Sequence, residues 1–353
     1  MTDRQLVHGG DWAGYQAEYG GQPLDFSANV SPLGVPEGVA RAIAQTAREA
    51  DRYPDPLCRS LVGKLAAREG VPSEFILCGN GAADLIFRAV LARKPKLALV
   101  TAPTFAEYEA ALAAWGCPVR RHLLREGQDF RLGEDFLRAI TPEVDMVFLC
   151  EPNNPTGLTS PRDFLLRIAR RCRDCGALLV VDECFGDFLA DPGAHTLKAA
   201  LPEFSNLLLL KAFTKLYAMA GVRLGYALCG DEALLEEMRR AGQPWAVSSL
   251  AQAAGEAALE EEGYVARVRG LVQKERPWLR AQLEALGLRV LPGEANYLLF
   301  RCPAPLVQPL RRRGILLRDC GNYQGLGPGW YRTAVRTHEE NARLIQAVQE
   351  ALL

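Results

Sequence analysis

The stretch KAFTKLYAMAGVRLGY, Lys211 to Tyr226, decides how this chain is read. It follows the apolar run NLLLL at 206–210, which has the length and composition of a strand buried on both faces. Lys215 and then Arg223 stand just beyond that strand. Open parallel sheets bind ligands in the crevice outside the carboxyl ends of their strands, so one reading has both charges facing the same small molecule. The other reading leaves them as solvated loop residues, and the rest of the chain has to decide.

Working outward, the runs FILC, KLALVTA, DMVFLC, ALLVVDE and GYALC alternate with helical patterns from about Val39 to Leu228. Short β-branched and aliphatic runs of this kind predict a mostly parallel sheet with helices on both faces, an α/β fold. From about Gly242 a long helical region gives way to RVLPGEANYLLFRC, a further helix and short strands. The expected division is an N-terminal arm over residues 1–38, a large α/β domain over 39–241 and a smaller α+β domain over 242–353. The Gly- and Pro-rich arm has too little periodicity for a core of its own and is expected to lie across the other two.

Composition narrows the function. The chain has 353 residues, of which 49% are hydrophobic, and its 41 basic and 42 acidic residues give a net charge of -1. A near-zero charge with no like-charge run points away from nucleic acid and from an anionic membrane surface, so any bound anion needs a local site. The start, MTDRQLVHGGDW, lacks a basic segment followed by an apolar one, and no apolar run approaches the roughly 20 residues of a bilayer span; a cytoplasmic location is the expectation. Ten cysteines are scattered along the chain. The close pair Cys172 and Cys175 ends a helix before a strand, whereas a redox pair opens one after a strand, so the thiols are read as structural and reduced.

Chemistry gathers at the predicted strand ends. In FILCGNGAADLIFRAV a glycine-rich turn joins a strand to a helix, a place where free amides and the helix dipole suit a phosphate and where a tight turn wants glycine anyway. EPNNPTG, Glu151 to Gly157, puts two asparagines between prolines directly after a strand, either a ligand-bonding loop or a plain turn. Asp182 ends the apolar strand ALLVVDE, where a carboxylate is costly without a cationic or hydrogen-bonding partner. A phosphate turn, an amide loop, an isolated carboxylate and Lys215 with Arg223 are together the parts that a pyridoxal-phosphate enzyme needs.

With these parts in hand, the chain resembles the fold-type I pyridoxal-phosphate family nearly end to end. It is similar to the branch that the histidinol-phosphate aminotransferases share with the threonine-phosphate decarboxylases of cobalamin biosynthesis. The segments that carry the likeness are RYPDP, GNGAADLIF, PTFAEY, EPNNPTG, VVDECFGDF, FTKLYAMAGVRLGY and YRTAVRTHEEN; HGG, LDFSANVSPLG and NYQGL lean toward the decarboxylases. The resemblance implies that Lys215 bonds the cofactor covalently, that Asp182 partners its ring nitrogen, and that Asn154 bonds its ring oxygen while Phe105 stacks on the ring. It places the cofactor's phosphate on Gly81, Ala82 and Ala83, beside Thr214 and Arg223, with Tyr53 reaching it from the other subunit of a homodimer. Arg332 aligns with a carboxylate-binding arginine, and His8, Asn29, Arg318 and, more weakly, Arg336 are the candidates for the phosphate of a small phosphorylated amino acid.

Some positions depart from the family pattern. Ala212 stands where relatives carry a hydroxyl, and Phe185 where the aminotransferases carry a tyrosine, which leans toward decarboxylation. Trp245 is expected to shape a cleft between domains, and His122, His195 and His338 to lie at the surface. The alternatives that stay open are an aminotransferase, a decarboxylase of phosphoserine, and a module that binds the cofactor without catalysis.

Overall fold

The computed structural model describes residues 8–353, so the first seven residues of the expected arm lie outside it. Its strands are β1 (Leu24–Asp25), β2 (Ile76–Gly79), β3 (Ala98–Ala102), β4 (Val119–Leu123), β5 (Met146–Cys150), β6 (Leu178–Asp182), β7 (Leu207–Ala212), β8 (Gly225–Cys229), β9 (Arg289–Val290), β10 (Tyr297–Arg301), β11 (Ile315–Leu316), β12 (Arg318–Asp319) and β13 (Trp330–Ala334). Seven of them form one sheet in the order β2-β8-β7-β6-β5-β3-β4. Pairing is parallel from β7 to β4, and β8 runs antiparallel to both of its neighbours.

The sheet is buried on both faces, as the apolar runs predict. On β7, Leu207 and Leu209 join one core while Leu208 and Leu210 join the other, the alternation that a strand imposes. The sequence reading missed β4, whose VRRHL is half exposed. An edge strand has one neighbour and tolerates charge, so it lacks the apolar run that betrays a central strand.

The C-terminal sheet is antiparallel, in the order β12-β13-β10-β9. It shares a core with the helix His338–Leu352, including Phe300, Leu344 and Val348. That helix opens with a capping box between Thr337 and Glu340, two orphan amides satisfied reciprocally. The helix Glu262–Ala285 spans both cores: Val268 and Val272 pack with the large sheet, Leu279 and Leu283 with the small one.

The arm is stitched to the C-terminal part. Its helix Trp12–Tyr19 is gripped by Arg311, which pairs with Asp11 at 3.2 Å and Glu18 at 3.0 Å and lies over the Tyr15 ring. Next, β1 pairs in parallel with β11, and Phe26 is buried in the small sheet's core. Residues 27–31 are thereby carried across the carboxyl ends of the large sheet.

Candidate active site

The helix Gly81–Arg93 starts directly after β2, and its N-cap, Asn80, supplies no side-chain hydrogen bond. Its first-turn amides therefore lack the usual partner and present the positive end of the helix. Gly81 has φ +78°, and a Cβ there would sit 2.7 Å from Nη2 of Arg223. Arg223, itself at φ 64°, thus lies across the turn that carries Ala82 and Ala83. Thr214 is buried in the short helix Phe213–Leu216 that follows β7. A glycine turn, open amides and an arginine across them fit a phosphate group.

Asp182 ends β6 and is buried. Its Oδ2 accepts a 2.8 Å hydrogen bond from the Tyr108 hydroxyl, and its Oδ1 accepts from the Cys184 amide at 3.0 Å. Burial still raises its pKa, the hydrogen bonds from Cys184 and Tyr108 working against that rise. A buried carboxylate that is hydrogen-bonded yet in no ion pair among the described residues suits a cationic ligand nitrogen. Tyr108 was not singled out in the sequence. It stands three residues after Phe105, is fully buried, stacks on Phe148 at 5.0 Å and meets the Phe105 ring edge-on at 5.6 Å. Its only sequence signal is that spacing in PTFAEY.

Lys215 is partly buried, and its Nζ donates to the Ala28 carbonyl at 2.9 Å. Burial, with the charges of Arg332 and Arg223, lowers its pKa to about 8. The Phe185 ring lies 5.9 Å from Nζ, an apolar wall where a phenol is expected in the aminotransferases. The neighbouring carbonyl, that of Ser27, accepts from Nη2 of Arg332 at 2.8 Å. Consecutive backbone carbonyls of the arm thus hold the two cations, a contact that residue types could not announce.

Asn154 sits in the loop after β5, between the cis bonds Glu151–Pro152 and Asn154–Pro155. Its neighbour Asn153 fixes the loop through Thr104, Thr156 and the Pro103 carbonyl. The Asn154 amide oxygen accepts from Arg332 Nη1, and the Tyr323 hydroxyl lies 3.4 Å from it. Because a guanidinium only donates, the atom facing Arg332 is the oxygen, which leaves Nδ2 as a donor for a ligand. Arg318 and Arg332 are both buried and sit directly opposite each other on β12 and β13.

The remaining candidates divide. His8 reaches the site's edge, bonding Glu107 at 2.6 Å with its ring 5.9 Å from that of Phe105. Asn29 is 1% exposed, has φ 53° and leaves both atoms of its amide without a hydrogen-bond partner among the described residues. Arg336 is committed elsewhere: its guanidinium holds Glu340 at 2.8 Å and the Asp25 carbonyl, tying the arm to the C-terminal helix. Its Nε stays buried without a partner among the described residues.

Tyr53 is 80% exposed and stacks on Trp245 at 4.4 Å, so Trp245 belongs to an outer surface patch. Of the expected surface histidines, His338 does lie at the surface, bonding Glu275 at 3.1 Å, whereas His122 is largely covered and 3.6 Å from Asp135 and His195 is half-buried with a covered Nδ1.

The family model for aminotransferase class I and II matches residues 22–348. A threonine-phosphate decarboxylase from Salmonella typhimurium is 41% identical over 94% of this chain and 92% of its own length. A histidinol-phosphate aminotransferase from Desulfitobacterium hafniense is 36% identical over 93% and 91%. Among solved structures, the histidinol-phosphate aminotransferase from Clostridium acetobutylicum superposes with a TM-score of 0.87 at 25% identity, covering 93% of this chain and 98% of that one.

Proposed function

The chain belongs to the aminotransferase class I and II family, and from that premise we propose that it is a pyridoxal-phosphate enzyme that decarboxylates O-phospho-L-threonine. The product would be (R)-1-amino-2-propanol O-2-phosphate. The observation that carries the reading, beside the 41% identity to a threonine-phosphate decarboxylase, is a pair of buried arginines, Arg318 and Arg332, in register on one face. They suit a substrate with two anionic ends. The apolar Phe185 beside Lys215 favours the same choice over transamination.

The residues fit the cofactor. The Gly81–Ala83 amides, Thr214 and Arg223 would hold its phosphate, Asp182 its ring nitrogen, Asn154 its ring oxygen and Phe105 its face, with Lys215 as the point of attachment. When bound, the cofactor supplies an electron sink for the pair released as a bond at the substrate's Cα breaks. Asp182, already bonded by Tyr108 and Cys184, offers a carboxylate that keeps a facing nitrogen protonated. Arg332 grips the carboxylate and selects which bond at Cα is presented for cleavage. CO₂ departs without the bonding pair, and Lys215 Nζ delivers a proton to Cα. With a pKa lowered to about 8, that amine exchanges protons readily near neutrality. His8 and Arg318 would hold the phosphate. Asn29, whose buried amide has no partner among the described residues, would join them.

Tyr53, exposed at 80% together with Leu57 and Trp245, supports a homodimer in which it completes the partner's phosphate site. The division between large and small domains is proposed to fall within the helix Glu262–Ala285, later than 241, because that helix passes from one core to the other. No helix among the described residues is long and apolar enough to cross a membrane, and action in the cytoplasm is part of the proposal.

The test is CO₂ release from O-phospho-L-threonine by the cofactor-loaded protein with no keto acid present. Sustained release, with the aminopropanol phosphate as product, supports the reading. No release, but amino transfer from histidinol phosphate to 2-oxoglutarate, overturns it in favour of the aminotransferase.

A further inference from the structure

β12 and β13 bring Arg318 and Arg332 to the same face as directly opposed residues. Two guanidiniums so placed repel each other; Arg318 Nη2 is held by Asn322 Oδ1 at 2.9 Å and Arg332 by the Asn154 oxygen and the Ser27 carbonyl, and together they suit an anion. Tyr323, in the loop that joins the two strands, contacts both halves of this arrangement. The Arg318 guanidinium lies 5.3 Å from the centre of the Tyr323 ring, within cation–π range. The hydroxyl lies 3.4 Å from the Asn154 oxygen, the same atom that Arg332 holds. That is longer than an ordinary O–H···O bond, but the hydroxyl also hydrogen-bonds the Arg318 side chain, so ring and hydroxyl both bear on Arg318.

The loop is held in place. Gly325 has φ +85°, and a Cβ there would sit 2.9 Å from the Ala102 carbonyl oxygen, so the loop tip presses on the turn that leads to Phe105. The Tyr323 amide bonds the Cys320 carbonyl at 3.0 Å, and its own carbonyl accepts from Leu326 at 3.1 Å. Beside it lies a cavity of about 200 Å³ lined by Phe105, Thr104, Arg318, Asn322 and Tyr323. Arg318 lines this cavity, whereas Arg332 is turned to Asn154 and the arm.

Building on the proposed function, we propose that Tyr323 sorts the two anions of the substrate. Its ring, together with the Asn322 side chain that accepts from Arg318 at 2.9 Å, keeps Arg318 on the cavity side for the phosphate and leaves Arg332 for the carboxylate. The site thereby selects amino acids that carry a phosphate on a short side chain. Tyr323 acts through the arginines and is a positioning residue that sets specificity.

The experiment compares the cofactor-loaded wild type with Tyr323→Leu and Tyr323→Phe. Changes in cofactor absorbance are titrated with O-phospho-L-threonine and with L-threonine, and KM and kcat for CO₂ release are measured alongside. Tyr323→Leu is expected to weaken O-phospho-L-threonine about tenfold while L-threonine shifts little, the size of a lost cation–π contact. Tyr323→Phe, which keeps the ring but loses the hydroxyl's hydrogen bond to Arg318, is expected to fall between wild type and Tyr323→Leu. KM should move more than kcat. An unchanged ratio of the two affinities in folded, cofactor-loaded Tyr323→Leu overturns the inference, even if the wild type releases CO₂. A wild type that binds O-phospho-L-threonine without releasing CO₂ overturns the proposed reaction, yet the same titrations still decide the role of Tyr323. A wild type that binds no O-phospho-L-threonine overturns both.

Discussion

Two charged clusters stand at the same strand ends, on opposite faces of the large sheet. One contains Asp182 and Lys215; the other contains Glu69, Lys211 and Glu183. The second is saturated. Glu69 accepts from Tyr226 at 2.5 Å, Lys198 at 2.9 Å and Lys211 at 3.4 Å, while Glu183 accepts from Thr196 at 2.7 Å and the Leu197 amide at 3.0 Å. Burial pushes the Glu69 carboxyl up, but Lys211, Tyr226 and Lys198 outweigh it and hold the pKa down at about 2. In the first cluster the cation and the carboxylate do not pair: Lys215 rests on a backbone carbonyl, and its pKa falls. Neighbouring residues of similar type therefore play different parts: the closed network fastens the fold, and the open one keeps its groups available for a ligand.

The comparison breaks most sharply at Lys215. Replacing it by Arg keeps a positive charge but removes the primary amine, and turnover is expected to fall by at least about a thousandfold. Circular dichroism and the melting temperature should stay close to wild type. Retained turnover would remove Lys215 from the centre of the reading.

Glu69→Gln attacks the closed cluster. It leaves Lys211 and Lys198 facing a neutral amide, and the expected loss is about 3 kcal/mol of stability in denaturant titration, the cost of breaking a buried ion pair. The sign with pH follows from the depressed pKa. The folded state binds fewer protons than the unfolded one between pH 4.5 and about 2, so this contribution is complete above 4.5 and fades as pH falls through about 2. The variant should lack that acid-dependent component, while its cofactor absorbance stays that of wild type. Equal stability of variant and wild type across this range would show that the network is no anchor.

A third test lies on the open side. Cofactor attachment needs the neutral amine of Lys215, and a pKa of about 8 leaves roughly a tenth of it neutral at pH 7. The rate of cofactor uptake by the ligand-free protein is expected to rise with pH up to about 8 and then level off. A rate that keeps climbing toward pH 10 would mean that burial and the two arginines do not depress the amine.

Legibility in the sequence followed the same divide. The apolar runs revealed the central strands because burial on both faces leaves no room for polar residues. The half-exposed edge strand β4 escaped for the opposite reason. Asp182, Lys215 and the asparagine loop around Asn154 were legible because each is a costly or distinctive residue type at a strand end or in a loop, whereas Arg332, inside β13, was named only by the family resemblance. Backbone contacts from Ser27 and Ala28 were not legible, since a carbonyl has no letter of its own. The tie of Arg336 to Glu340, one helical turn on, was not legible either, since its position in YRTAVR gives no hint of it. Tyr108 was hidden by its aromatic character, which reads as core.

Tyr108 gives the smallest expected effect and sharpens the comparison most finely. Its phenol touches both sides of the open cluster: the hydroxyl orients Asp182, and the ring edge supports Phe105. Tyr108→Phe preserves the packing against Phe148 and removes one hydrogen bond, so cofactor affinity should drop about tenfold, the low end of the worth of one such bond to a charged group. Asp182, deprived of a donor, should then titrate at higher pH, and activity should be lost earlier on the acid side than in wild type. A structural role alone would lower the melting temperature without moving the acid limb of the pH profile. The shift of that limb therefore separates a tyrosine that merely fills the core from one that keeps the carboxylate ionised.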